Sequence, residues 1–519
     1  CVYPYMRYIL YLILFSQMCF SDTRLFRKAY IDIAGRIPTY EEVKNAPKTH
    51  PQLVKKLLES PDYNNNLYNI WADWLRLSDR RDNASMEAYK LWIKASISSN
   101  KPYNEMVKEL LRAEGSVGEN GAVGFYVRDR NNPLDHAAAI AETFLGEDII
   151  CAQCHDHPFK DFTQLEFYEI AAYTYSSQVK NGYGNKNQAR KLVKDEPMLS
   201  KIINDMFRSV DFYVEESERK LKLPHDYQYT NAAPKEVIGA GRIFGNEPPQ
   251  ESTKNGELYA NWITSRKNKM FAVNVVSRLW ERSMSREATD AELLKWANIM
   301  VSSGYDFKKY LFTFFTSPEY MSSREPMRMT AEQIWDSLLF AYDNNYEFST
   351  VHKDPALEKY SQFLRNAEPA ALTNLAVKVE AKYERPRLPH FVEEVTGEKW
   401  EQRKTKRGFW IASSEIQSPA PDAHFLRQFG QSNRVVLDNS TKEATVQQSL
   451  TLMNGPLVRE LLSKKSNLIT HIEKQKDKDV LFMSFWSRKP TPQESRALSG
   501  FDNKDVLWVM LNSKQFLFY

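Results

Sequence analysis

The stretch that decides the fold is "GRIPTYEEV", residues 35–43, because it carries the start signal of a helix. An arginine and a short loop lead to Thr39, and Glu42 follows three residues later. This spacing is typical of a capping box, in which the threonine side chain accepts from a backbone N–H of the first helical turn and the glutamate accepts from the N–H of the threonine. The stretch therefore predicts a helix that begins directly after Thr39.

The same pattern occurs in two further places. Thr289 and Glu292 have this spacing inside "SREATDAEL", and Thr491 and Glu494 have it inside "SRKPTPQES". Each of the three copies leads through helical sequence to a polar stop, namely "SPDY", "TSPEY" or "NSKQF". We interpret the pattern as a structural repeat of helix, capped turn and helix, because capping alone explains the residues.

Apolar residues elsewhere recur at spacings of three and four, and few segments alternate as strands do. A length of 519 residues indicates two to four domains at about 150 residues each. The expected fold is a mostly α, multi-helical two-domain protein with recurrent capped helix-turn-helix units and few short strands. We place an N-terminal helical domain at 22–180, a connecting region at 181–254 and a C-terminal helical domain at 255–519.

Charge and motifs exclude several classes of function. The 70 basic and 66 acidic residues nearly balance, which gives no reason to expect a nucleic-acid partner. The sequence contains no Gly-rich phosphate loop, no nucleophile elbow and no His-Glu-x-x-His motif. With no catalytic constellation identified, we expect that the chain is not an enzyme on its own.

The N-terminal residues 1–21 are predicted to be a secretory signal. Arg7 precedes an apolar run from Ile9 to Phe15, and small residues before Asp22 suit a cleavage site. The apolar run is shorter than the roughly 20 residues that a spanning helix needs, and no later segment is suitable. We therefore expect an exported protein, periplasmic or at the cell surface, without a transmembrane span in the mature chain.

A cysteine pair beside a histidine carries the strongest functional signal. Of four cysteines, Cys1 and Cys19 fall in the predicted signal, which leaves Cys151 and Cys154. The order Cys-Ala-Gln-Cys-His is the attachment motif of c-type haem. Under this interpretation both cysteines form thioether links to haem c, and His155 is the iron ligand.

The local setting is compatible with a cofactor. Asn132, Pro133 and Gly146 predict the ends of a helix before the motif, and Thr163 with Glu166 predicts another capping box after it. Aromatic residues are frequent around this connection, so we expect them to enclose a flat apolar group. For a second axial ligand the sequence offers four candidates: His136, Met198, Met206 and His225.

Three alternatives to haem stay open. Zinc would take Cys151, Cys154, His157 and either His136 or His155, because thiolates and imidazoles are its preferred ligands. A disulfide between the two cysteines is compatible with export. The histidines would otherwise be hydrogen-bonded structural residues.

Much of the chain resembles a known family. The segments "FRKAYIDIAGRIPTYEEV" and "AETFLGEDIICAQCHDHPFKDF" resemble domain of unknown function 1549, and "MRMTAEQIWDSLL" and "LFMSFWSRKPTPQE" resemble domain of unknown function 1553. These domains occur together in exported planctomycete and verrucomicrobial proteins, which are described as cytochrome-like and have no agreed activity. The resemblance thus implies, but does not define, a redox role.

The sequence therefore favours an exported c-type haem-binding protein for electron transfer or redox sensing in the cell envelope, serving an unknown redox or envelope partner. The alternative is a non-redox scaffold or binding module whose Cys/His cluster is a zinc site or a local disulfide.

Overall fold

The computed structural model describes residues 22–81, 84–130, 132–182, 184–247, 252, 254–342, 355–398, 410–437, 440–475 and 478–519. The predicted signal, residues 1–21, lies outside this part. The described chain is mostly helical with a few short strands, as the sequence predicts.

The first half of the chain forms helices in close succession. These are α1 Thr23–Ala29, α2 Tyr40–Lys44, α3 His50–Leu58, α4 Pro61–Trp74, α5 Glu87–Ser98, α6 Tyr103–Leu111, α7 Gly124–Arg128, α8 Pro133–Ile140, α9 Gln164–Tyr175, α10 Lys186–Leu192 and α11 Pro197–Phe207. Short π-helical turns at Tyr30–Ala34 and Ala141–Leu145 extend α1 and α8.

The second half continues in the same way. Its helices are α12 Asn255–Ile263, α13 Lys269–Ser283, α14 Asp290–Ser302, α15 Phe307–Phe315, α16 Pro318–Ser322, α17 Ala331–Tyr342, α18 Pro355–Asn366, α19 Pro369–Lys382, α20 Leu388–Thr396, α21 Phe425–Gln428, α22 Val446–Asn454, α23 Pro456–Leu461, α24 Asn467–Gln475, α25 Asp479–Trp486, α26 Pro492–Ala497, α27 Asn503–Leu511 and α28 Lys514–Leu517.

The strands are short and antiparallel. They are β1 Arg80–Arg81, β2 Ala84–Ser85, β3 Gly115–Ser116, β4 Ser177–Lys180, β5 Tyr213–Glu216, β6 Leu221–Lys222 and β7 Val237–Ile238. Strand β5 lies between β3 and β4, while β1 pairs with β2 and β6 pairs with β7. In β4 and β5, Val179 is opposite Val214, which sets the register of the three-stranded sheet.

All three predicted capping boxes are confirmed. The N–H of Glu42 donates to the Thr39 hydroxyl over 3.2 Å, and the N–H of Thr39 donates to the Glu42 carboxylate over 2.8 Å. The helices after Thr289 and Thr491 begin with the same reciprocal pair of hydrogen bonds. The repeat of helix, capped turn and helix is therefore a real element of the fold.

Each of the three turns also has an arginine six residues before its capping glutamate, and the arginine binds that glutamate. Arg36 contacts both oxygens of its glutamate at 2.9 Å, and Arg488 does so at 2.8 and 2.7 Å. Hydrogen bonds from the arginine, with those from the threonine, lower the pKa of Glu292 and of Glu494 to about 2. Each turn is thus closed by an arginine as well as by a cap.

The buried apolar residues form two clusters. One extends along the chain from Leu25 to Val392, and the other gathers residues from Met327 to Tyr519 together with Ile31 and Ile37. The second cluster thus includes side chains from the start of the described chain. The predicted division at residue 255 stays a prediction.

A buried carboxylate joins distant segments. Asp336 on α17 accepts from the backbone N–H of Ser413 over 2.9 Å, from its hydroxyl over 2.5 Å and from the amide of Asn65 over 3.2 Å. Burial raises the pKa of Asp336 to about 7. The folded protein therefore favours the protonated acid over most of the acidic range.

This raised pKa predicts a pH-dependent stability. An unfolded aspartate titrates near pH 4, so the folded state binds the extra proton between about pH 4 and pH 7. The contribution of Asp336 to the free energy of unfolding should be fully present below pH 4 and fall, by up to about 4 kcal/mol, as the pH rises to 7. Urea unfolding of wild type and Asp336→Asn across this range measures the difference.

Asp195→Asn is the matched control, because Asp195 is exposed. The free energy of unfolding of Asp195→Asn should equal that of the wild type at every pH. If the difference between wild type and Asp336→Asn does not change between pH 4 and pH 7, the carboxyl group does not titrate as inferred.

Candidate functional site

The Cys/His loop, residues 150–162, lies between two helices whose ends match the sequence prediction. Helix α8 runs into the π-helical turn Ala141–Leu145, which ends at Gly146 with a φ of 75°. Helix α9 begins after Thr163, whose capping box with Glu166 is complete. The first residues of the loop, Ile150–Gln153, form a short 3₁₀ turn.

Both cysteines of the loop are free thiols on the surface. Cys151 and Cys154 are exposed, and neither is in a disulfide. The backbone N–H of Cys154 donates to the carbonyl of Cys151 over 3.3 Å, so the tight turn brings the two residues together. The thiols are accessible to a reactive group that approaches from solvent.

The imidazole of His155 is exposed and oriented by its neighbour. Its Nδ1 lies 2.7 Å from the backbone carbonyl oxygen of Asp156. Because a carbonyl only accepts, Nδ1 carries the proton, and the lone pair of the neutral ring is on Nε2. A histidine that ligates a metal typically has this arrangement, since the acceptor at the other ring nitrogen fixes the tautomer and raises the basicity of the ligating nitrogen.

His157 has the opposite arrangement. The backbone N–H of Phe159 donates to its Nδ1 over 3.2 Å, so in the neutral ring the proton is on Nε2. The outward nitrogen of His157 is therefore a donor rather than a ligand. The two histidines of the loop thus differ in tautomer, and His155, the iron ligand that the sequence predicts, is the one whose Nε2 is free to ligate.

The loop is held by residues that the sequence did not single out. The N–H of Asp156 donates to the hydroxyl of Tyr229 over 2.7 Å, and its carboxylate accepts from the N–H of Gln164 over 2.8 Å. The side chain of Gln164 donates to the carbonyl of Gln153 over 3.0 Å. Gln164 follows the cap residue of α9, but nothing in the local sequence indicates that Tyr229 reaches the loop.

His136 belongs to a different cluster. Its Nδ1 lies 3.2 Å from a carboxylate oxygen of Asp129, which also pairs with Arg76 over 2.7 Å. The ring is buried against Phe125 and Tyr126. In the part of the chain that the structure describes, no three His, Cys, Asp or Glu side chains are placed to hold a metal ion together. His136 is therefore not brought together with the cysteines as a metal-ligand group.

The expected enclosure by aromatic rings is wrong for this loop. Phe159 is 92% exposed and Ile150 is 41% exposed, while Phe125 and Phe144 pack on each other inside the core. The helical aromatics face the core because their helices pack there, whereas the loop follows the surface. Burial raises the pKa of Tyr168, and the charge of Cys154 raises it further.

The candidates for a second axial ligand lie in different environments. Met206 is fully buried, whereas Met198 is 56% exposed on α11. His225 is exposed, and Asp226 beside it acts on the same Tyr168 phenol as Cys154 does.

No helix in the described part of the chain has the length and apolar character needed to cross a membrane.

Two regions of the chain match known protein families. Residues 16–178 match the family model PSCyt2, described as a protein of unknown function (DUF1549). Residues 298–501 match the model PSD1, described as a protein of unknown function (DUF1553). No curated protein and no solved structure matches the chain. The Cys/His loop lies inside the first matched region.

The exposure of the two thiols predicts their reactivity. In folded, reduced protein made without haem attachment, Cys151 and Cys154 should both be alkylated by iodoacetamide without denaturant, because both are exposed. Peptide mapping by mass spectrometry identifies the modified residues. Cys151→Ser should retain one reactive thiol in this peptide, and protection of either thiol until the protein is denatured would contradict the surface position.

Proposed function

On a chain that combines a DUF1549 domain with a DUF1553 domain, we propose that the Cys/His loop attaches a c-type haem for electron transfer or redox sensing in the cell envelope. The observation that carries the proposal is the tautomer of His155. The hydrogen bond from its Nδ1 to the carbonyl of Asp156 leaves Nε2 as a ligating atom on the residue that directly follows the cysteine pair.

The residues present fit the group. Cys151 and Cys154 are accessible thiols at the spacing that thioether attachment uses, and His155, which follows them, would be the residue that ligates the iron. When bound, the haem supplies a reversible one-electron change at its iron. The protein contributes the ligand, the orientation of the ring and the solvent exposure that tunes the reduction potential.

The orientation of His155 rests on a backbone atom that is itself fixed. Asp156 provides the accepting carbonyl, and its own N–H and carboxylate are bound by Tyr229 and Gln164. A ligand held through such a chain of contacts keeps its direction during oxidation and reduction. Rigid ligation of this kind suits electron transfer, because little reorganisation is then needed.

Surface exposure also supports a carrier over a catalyst. The thiols and His155 are exposed, so an attached cofactor would lie where a partner protein can approach it. A solvent-exposed site favours the more highly charged oxidised state. We therefore expect a low reduction potential and a partner that is an unknown redox or envelope protein.

The rival function is a scaffold or binding module in which the Cys/His loop holds zinc or a disulfide. Zinc at this loop would need His157 to lose the hydrogen bond from Phe159 to Nδ1, or to exchange its tautomer, before Nε2 could ligate. His155 can ligate without such a change, so haem attachment needs no rearrangement of the loop, whereas a zinc site that includes His157 does.

Covalent attachment of haem can be tested by expression and spectroscopy. Exported from a host that matures c-type cytochromes, the protein should be coloured, and the haem should remain after acid-acetone extraction and on a denaturing gel. Cys154→Ser and Cys151→Ser should each leave only one thioether site, which a shift of the pyridine haemochrome band and a lower haem yield will report. A colourless protein with stoichiometric zinc would establish the rival function.

Substitution of each histidine of the loop distinguishes which of them ligates the iron. His155→Ala should retain covalent haem but lose the axial nitrogen, which changes the visible spectrum and the midpoint potential. His157→Ala is the matched control, because its Nε2 carries the proton, and it should leave both readouts within error of the wild type. A spectrum that responds to His157→Ala and not to His155→Ala would reverse the assignment.

A further inference from the structure

A cleft elsewhere in the protein shares no residue with the Cys/His loop. It has a volume of about 590 Å³ and is lined by residues from α1, from the segment before α17 and from the last described residues. This volume is in the range of pockets that bind small molecules, about 300–1,000 Å³. We name it the terminal cleft, after the two ends of the described chain that form it.

The terminal cleft is basic. Its lining includes five cationic side chains and no acidic one among the described residues: Arg24, Arg27, Arg324, Arg488 and Lys514. Arg488 is paired with Glu494, and Arg324 with Asp22. The other three have no ion pair with a carboxylate within the described part of the chain, so the cleft has an excess of positive charge.

Arg27, which lines this cleft, has an unsatisfied buried donor. Its side chain is 5% exposed, and its two terminal nitrogens donate to the carbonyls of Phe518 and Phe516 over 2.9 Å each. Its Nε–H is buried without a partner. A buried unpaired donor costs roughly 1–3 kcal/mol, so native proteins satisfy nearly all of them. Burial also lowers the pKa of Arg27 to about 10, and the charge of Tyr519 offsets part of this effect.

Trp486 contributes a second unsatisfied donor. Its indole Nε1–H is buried and has no hydrogen-bond partner, and the residue lines the same cleft. Pro326 and Phe518 add apolar surface between the charges. An acceptor group in the cleft that reached either N–H would satisfy a buried donor and would also meet the excess positive charge.

We propose that the terminal cleft binds a small organic oxyanion, a carboxylate or a sulfur or phosphorus oxyanion, carried on a body with an apolar face. The oxyanion accepts from the free N–H groups and is attracted by the basic side chains, while the apolar face packs on Phe518 and Pro326. This site is independent of the proposed haem function, because none of its residues contacts the Cys/His loop in the interactions described above.

Calorimetric titration of the purified protein tests the proposal with three naphthalene probes. These are 2-naphthoate, naphthalene-2-sulfonate and the uncharged 2-naphthalenemethanol. Both anions should bind at least tenfold more tightly than the alcohol, and their affinity should fall with added salt. Tighter binding of the carboxylate or of the sulfonate identifies which oxyanion the cleft prefers.

Variants locate the binding. Trp486→Phe removes the N–H and retains a ring, and Arg24→Ala and Lys514→Ala each remove one charge. Each should weaken binding of the preferred anion about fivefold or more, with an unchanged melting temperature. Lys201→Ala, at an exposed lysine of α11 outside the cleft, is the matched control and should not change the affinity.

The proposal is overturned if the alcohol binds as tightly as the anions, or if none of the three cleft variants weakens anion binding. Either result leaves the haem experiment untouched, since that experiment reports on Cys151, Cys154 and His155.

Discussion

The fold depends on one buried cation, Arg36, which is 3% exposed. Its guanidinium contacts Glu42 at 2.9 Å and Asp62 at 2.5 Å, and it lies 3.6 Å from the ring centre of Phe340. Burial alone would lower the pKa of Arg36, but the charges of Asp62 and Glu42 raise it above its usual value. Loss of one partner from such a pair typically costs about 3–5 kcal/mol. The arginine therefore fixes the capped turn, α4 and a helix from the second half together.

The sequence could predict the local part of this arrangement and not the rest. A capping box depends on residues three apart, so Thr39 and Glu42 reveal it directly. The contact with Asp62 spans 26 residues and requires α4 to pack beside the turn, which no local pattern encodes. The same limit explains the Cys/His loop, where the flanking helix ends were predictable from caps, whereas the outward position of Phe159 was not.

The two histidines of the loop show how finely a backbone sets chemistry. The residues are two positions apart and have the same side chain, but one Nδ1 meets a carbonyl and the other meets an N–H. The resulting tautomers give His155 an outward lone pair and His157 an outward proton. Asp156 lies between them, and both its N–H and its carboxylate are hydrogen-bonded. The difference between the two tautomers therefore comes from the backbone of the loop.

The terminal cleft forms where the first and last described segments, α1 and α28, pack together. Arg27 uses two of its nitrogens to hold the carbonyls of Phe516 and Phe518, and on the next turn Asp32 accepts from the hydroxyl of Tyr519 over 2.6 Å. In this guanidinium the Nε–H is buried and has no protein acceptor. A ligand that accepts from it would therefore also stabilise the docking of α28 against α1. Anion binding at the cleft and the docking of α28 on α1 would then be coupled, since the anion binds most tightly when both segments are in place.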